Sequence, residues 1–152
     1  SPIKLLMVEL SIYIVYCMVS MITLIPAAMI FWKVTIHGTW SAFLGSWLIT
    51  MISTLSIGMM VGGVAKNAKS ASVIACLLYF PMLIFSGTTL PFEVMPEAMQ
   101  KIVSMFPMTQ GIQLMKVTFL GLPVDNIGLP VVVMGAVTIL CTVVAIKCFK
   151  WE

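Results

Sequence analysis

The intervals between charged side chains decide what this chain can become. Leu10 to Trp32 carries no formal charge, nor do Val34 to Ala65, Ser70 to Phe92 or Asn126 to Ile146. Each interval is long enough for the ~20-residue helix that crosses a hydrocarbon layer about 30 Å thick. A charge held at the bilayer centre costs about 3 kcal/mol, so the charged residues mark where the chain leaves the hydrocarbon. Composition agrees, because 61% of the 152 residues are hydrophobic and 9% are charged. That is too little polar surface to clothe a soluble domain of this size. The expected fold class is an all-α integral membrane protein, a single transmembrane domain over residues 1–152.

The first span is read over residues 10–32, ending in Phe31-Trp32-Lys33, an aromatic pair and a snorkelling cation suited to an interface. Pro26 is expected to bend its last turns. His37-Gly38-Thr39-Trp40 supplies a turn, and the second span follows over residues 41–65. This segment holds Gly45, Ser53, Ser56, Gly58, Gly62 and Gly63, small residues that let helix backbones approach closely. Gly58 and Gly62 form a GxxxG, expected to serve tight packing within the chain in preference to dimerisation. Gly63 does not begin a phosphate loop, since Val64 and Ala65 separate it from Lys66. The third span is read over residues 70–90, with its regular part ending near Phe85. Pro81 lacks the N–H that would reach the carbonyl of Leu77, so a kink or unwinding is expected there, and Ser86-Gly87 offers a second joint before Pro91.

Between residues 96 and 120 lie two pieces too short to span. Pro96 is expected at a first helical position, with Glu97 and Lys101 spaced for an ion pair and Ser104 on the same face. From about Thr109 a second short helix places Gln110, Gln113 and Lys116 on one face, and Gly121 followed by Pro123 supplies its stop. The favoured reading is a re-entrant hairpin dipping from the outer leaflet before the last span. The competing reading is a helix pair lying flat in the interface. Asp125 and Asn126 then face outward, residues 127–146 form the fourth span, and Lys147, Lys150 and Trp151 anchor its end.

Four alternating spans put Lys4, Lys66, Lys69, Lys147 and Lys150 on one side. Lys33, Lys101 and Lys116 fall on the other, together with Glu93, Glu97 and Asp125. The lysine bias predicts that both termini are cytoplasmic in a multi-pass cell-membrane protein. Scattered lysines, with no arginine and no basic stripe, exclude nucleic acid as a partner. Cys17, Cys76, Cys141 and Cys148 show no CxxC spacing, and His37 is the single histidine, so no metal site is expected. Met95, Met99, Met105, Met108 and Met115 are read as adaptable packing and not as a Cu(I) site. Glu93 and Glu97 are read as charges at a helix start and not as an acid/base pair. No catalytic residue and no bound cofactor is expected. Glu9 stands at the edge of the first span, as a boundary marker or as a contact to a partner.

The order IGMMVGGVAKNAKSASVIA, then LIFSGTTLP, then MPEAMQKIVSMFPMTQGIQLMK and Gly121 resembles the C-terminal part of type-2 ABC exporter permeases. The resemblance rests on Ser86, Gly87, Pro91, Pro96, Pro107 and Gly121 with their spacing, and covers about residues 50–121. It implies a six-span permease with a re-entrant helical pair before the last span, of which this chain would hold spans three to six. It also implies a second permease copy, identical or not, and a separate ATPase that binds the ATP and docks on the cytoplasmic side near Lys66, Lys69 and Glu9. The expected function is efflux of drug-like or amphipathic, lipid-like cargo, with lipid as the surrounding partner. The alternative is a small membrane scaffold or immunity-type protein acting by association. A channel is disfavoured because the first and last spans lack a polar stripe.

Overall fold

In the computed structural model, which describes residues 2–123 and 127–148, every regular element is helical. Helix α1 spans Pro2–Trp32, α2 Trp40–Val64 and α3 Ala68–Phe85. A 3₁₀ turn at Phe92–Val94 and two short helices, α4 (Glu97–Val103) and α5 (Pro107–Leu120), precede α6 (Gly128–Cys148). Helices α1, α2, α3 and α6 are each long and apolar enough to cross a membrane. The protein is a multi-pass membrane protein. Asp125, Asn126, Lys150 and Trp151 lie outside the described residues.

Local chemistry sets the helix ends. Helix α3 opens on a reciprocal capping box: Ser70 N–H donates to Asn67 Oδ1 at 2.8 Å and Asn67 N–H to Ser70 Oγ at 3.2 Å. It runs on through Pro81 and stops at Phe85, so the unwinding expected at the proline falls at Ser86-Gly87. There the Ser86 hydroxyl donates to the Leu83 carbonyl at 2.8 Å and Gly87 takes a φ of 90°. Pro26 likewise leaves α1 helical to Trp32. A proline removes one hydrogen bond, and a long apolar helix has enough others to continue.

Pro96 is the residue before α4 and not its first, with φ −57° and ψ 147°. Its ring fixes φ but leaves ψ extended, and its carbonyl accepts from the N–H groups of Met99 and Gln100. Helix α5 begins at Pro107, two residues earlier than expected, where the missing proline N–H costs nothing. It ends at Gly121 in the left-handed conformation, φ 67°.

The packed centre is α2 with α5 and α6 against it. Helices α2 and α6 run parallel, with Ser53 at the level of Met134 and Gly63 at the level of Ala145. Met134 and Ala145 are wholly buried. By contrast, α1 and α3 bury no described residue. Lipid tails are as apolar as leucine, so only close approach and polar contacts draw helices together in a bilayer. Serines 46, 53 and 56 give α2 that capacity, and each is nearly inaccessible.

The loop between α1 and α2 closes over the end of α5. The N–H groups of His37 and Gly38 both donate to the Phe119 carbonyl at 3.1 Å. A side chain at Gly38 would strike the Thr118 carbonyl, and one at Gly121 would sit 2.9 Å from the His37 oxygen. Alanine at Gly121 is therefore expected to cost about 1–2 kcal/mol, since it meets a steric clash and an unfavourable left-handed backbone. Alanine at Gly135, where nothing lies within 4 Å, is the control. Thermal unfolding in detergent checks this, and equal melting of the two variants would refute the clamp.

Candidate functional site

Three places gather the residues singled out from the sequence. The first is the broken segment from Ser86 to Gly121. Ser86 is buried, its hydroxyl lying 2.8 Å from that of Thr88. Pro91 leads into the 3₁₀ turn, and Gln100 ties that turn to α4 by donating from Nε2 to the carbonyls of Phe92 at 3.1 Å and Met95 at 2.9 Å. Gln110 does the same one step later, its Nε2 reaching the Ser104 carbonyl at 2.6 Å.

Gln110 is thus buried, not part of an exposed polar face with Gln113 and Lys116. The face of α5 that meets α2 carries Pro107, Gly111, Leu114 and Thr118 at helical spacing. Thr118 Oγ1 lies 3.0 Å from Ser46 Oγ, and Gly111 lies against Thr50, where a Cβ would strike the threonine methyl. Helix α5 therefore follows α2 from Ser46 to Thr50, down to a level about 15 Å along the axis from Trp40. Phe43 and Phe119 meet edge to face at 5.6 Å at its upper end.

No Glu97–Lys101 pair forms among the described residues; Lys116 Nζ instead meets Glu93 Oε1 at 3.5 Å. Helix α4 ends two residues after Lys101, and an exposed pair of long side chains gains little over the entropy it loses. A hydrogen bond from its own backbone, and then Lys116, hold the Glu93 carboxyl below the usual glutamate value. With its folded pKa lowered, the contribution of Glu93 is present above the unfolded pKa and fades as pH falls through the folded one.

The second place is a cleft of about 710 Å³ between α1, α2 and α3. Glu9 and Tyr13 line it from α1, Thr54, Gly58 and Gly62 from α2, and Ala71, Ala75 and Tyr79 from α3. Sequence reading placed Gly58 and Gly62 in packing within the chain. A Cβ at either meets nothing within 4 Å, whereas one at Gly63 would lie 3.0 Å from the Ala145 carbonyl. The GxxxG face is open, and the adjacent glycine is the one that packs. The meeting of Glu9 with Gly58 and Gly62 joins two sets that no spacing connected, because it depends on how α1 docks.

The third place is the end of the bundle where Lys66 and Lys69 flank the Asn67 capping box. Because Gly63 packs on Ala145, Lys147 lies at the same end. No cluster of three or more metal-ligating side chains occurs among the described residues.

A family model described as ABC-2 family transporter protein matches residues 1–147. The chain belongs to the ABC-2 transporter family. Nodulation protein J of Rhizobium leguminosarum bv. viciae is 33% identical over 79 residues, 52% of this chain and 30% of that protein. The inner membrane transport permease YhhJ of Escherichia coli K12 is 26% identical over 115 residues, 75% of this chain and 31% of that protein. Matches to the curated relatives thus span about a third of their length. No solved structure matches significantly.

Within this ABC-2 chain the glycines separate by environment. Valine at Gly63 or Gly111 is expected to destabilise by about 1–3 kcal/mol through overpacking. Valine at Gly58 or Gly62 is expected to shift stability by less than about 0.5 kcal/mol, as for open surface sites. Denaturation in mixed micelles ranks the four, and a Gly58 variant as unstable as Gly63→Val would contradict the open cleft.

Proposed function

We propose that this chain is membrane-spanning permease machinery of an ATP-driven exporter, in which an ATP-binding cassette ATPase subunit supplies the energy. A second permease copy, identical or not, completes the path. Family membership supports a transport component, and the printed name of the Escherichia coli relative, a transport permease, supports it further.

The observation that carries the reading is the course of α5. A segment too short to cross the bilayer follows α2 to a level about 15 Å below Trp40; its Phe119 carbonyl is met by the His37 loop, and Gln100 and Gln110 serve carbonyls of the segment that leads into it. This course supports a re-entrant element over a helix pair lying flat in the interface. An element of this kind closes one mouth of a path without spanning it. Its cargo on this reading is amphipathic or lipid-like, in keeping with the apolar bundle and the apolar cleft.

Lysine bias orients the assembly. Lys4, Lys66, Lys69 and Lys147 mark the cytoplasmic side, and the α4–α5 pair lies at the outer side. Lys66 and Lys69, held by a capped turn, are then the residues of this chain placed to face an ATPase.

Tagged full-length protein extracted in mild detergent is expected to retain an ATP-binding subunit. Charge reversal of Lys66 and Lys69 together is expected to lower its recovery. In cells, Val94→Cys, at a site 73% exposed, should react with an impermeant maleimide from outside, while Lys66→Cys should react only after permeabilisation. The reverse labelling pattern would overturn the orientation, and absence of any ATP-binding partner would overturn the exporter reading.

A further inference from the structure

The cleft between α1, α2 and α3 lies at one end of the bundle, and its walls say what fits. On α2 the lining runs from Thr54 to Gly62 and on α3 from Ala71 to Tyr79, about 12 Å of helix in each case. Along this length Gly58 and Gly62 on α2 and Ala71, Ser72 and Ala75 on α3 leave room between larger apolar side chains, which gives the cleft its depth. A volume near 710 Å³ falls within the range of small-molecule sites.

Glu9 is the one charged residue in the lining. From Trp32 to Glu9 the axis of α1 covers about 35 Å, so a hydrocarbon core of about 30 Å below Trp32 leaves Glu9 at the interface. Tyr13 follows one turn deeper, and most of the remaining lining is apolar, with Leu10 beside Glu9 and Leu55, Ile57, Met59 and Leu78 along the two open glycines. The slot thus presents a carboxylate at headgroup level and an apolar trough beneath. Among the described residues no lysine pairs with Glu9, and Lys66 and Lys69 stand outside the lining.

We propose that this cleft binds a cation-headed amphiphile drawn from the adjoining leaflet, with the cation at Glu9 and the apolar body along Gly58 and Gly62. Charge complementarity chooses the head: Glu9 is exposed at the mouth and is the one charge in the lining, so it attracts a cation and repels an anion. The aromatic ring of Tyr13 adds attraction for a cation that reaches it. Length chooses the body. The lining runs about 12 Å along α2, from Gly62 to Thr54, and takes an apolar body of about that length. The proposal deepens the export reading, on which it rests for the ligand being cargo; the binding itself does not depend on transport.

The test uses full-length protein in phosphatidylcholine nanodiscs and a diazirine derivative of dodecyltrimethylammonium. Cross-links are mapped by mass spectrometry, with unlabelled dodecyltrimethylammonium as competitor. Saturable labelling is expected around Met59 and Ala75. Glu9→Gln should weaken it about tenfold, the loss of one charge contact, and Gly58→Leu with Gly62→Leu should abolish it while the protein keeps its melting temperature. The matching sulfate and maltoside probes should label without saturation. Labelling that ignores Glu9→Gln, or that saturates equally for the sulfate probe, would overturn the charge assignment. Protection of Met59 and Ala75 in the native protein would mean that a helix fills the slot, and would overturn the proposal. Recovery of the ATP-binding subunit is scored on the same preparations, so loss of binding with the ATPase retained sinks this site alone, while binding without an ATPase sinks the exporter reading alone.

Discussion

Every backbone N–H and C=O placed away from water must find a partner, and that constraint shapes the stretch from Ser86 to Gly121. Leaving the helix at Phe85 frees carbonyls that no regular element can satisfy. Side chains take over: the Ser86 hydroxyl serves Leu83, Gln100 serves Phe92 and Met95, and Gln110 serves Ser104. At the far end two loop N–H groups serve Phe119. An amide side chain is well suited to this work, because it carries two donors on a stem long enough to reach back over a turn. Thr109 Oγ1 is the exception, the single buried side-chain oxygen or nitrogen without a partner among the described residues.

The same constraint explains why α2 is the central helix. In lipid its hydroxyls are worth about 0.6 kcal/mol each on average, and it has a row of them at helical spacing. Ser46 reaches Thr118 on α5, Ser53 reaches the Met134 carbonyl on α6 at 3.4 Å, and Thr50 bonds back to Ser46 at 2.7 Å, which leaves its methyl against Gly111. These contacts occupy the half of α2 nearer Trp40. The other half carries glycines, of which Gly63 packs on α6 and Gly58 and Gly62 face the cleft. One helix therefore holds α5 and floors the slot.

Much of this was legible because charge in a membrane chain is punctuation. The number of spanning helices, their order and the all-helical class follow from the uncharged intervals, and the stop at Gly121 follows from glycine being free to take a positive φ. What was not legible depends on docking. Periodicity puts Gly58 and Gly62 on one face but cannot say whether a neighbour covers it; of the three glycines expected to pack, Gly63 meets a neighbouring helix and Gly58 and Gly62 face the cleft. Sequence reading groups Gln110 with Lys116 on one face, but six residues set them about 120° apart on the helix, and Gln110 reaches a carbonyl six residues back across the chain's turn at Pro107. The seating of His37 and Gly38 on Phe119 joins segments some 80 residues apart, and no local pattern announces it. A serine and threonine row at positions 46, 50, 53 and 56 was the available signal for the α2 interface; only Ser53 and Ser56 were read that way.

Differences in packing imply differences in freedom to move. Helices α2, α5 and α6 interlock through hydroxyls, a glycine on an alanine backbone and a wholly buried methionine, an arrangement that resists continuous deformation. Helices α1 and α3 bury no described residue and join that unit through short connections, the His37 loop on one side and the Asn67 turn on the other. Both connections are themselves hydrogen-bonded, so displacement of α1 or α3 pivots about a fixed end and changes the width of the slot between them. The slot, not the packed centre, is the part of this chain whose shape is free to alter.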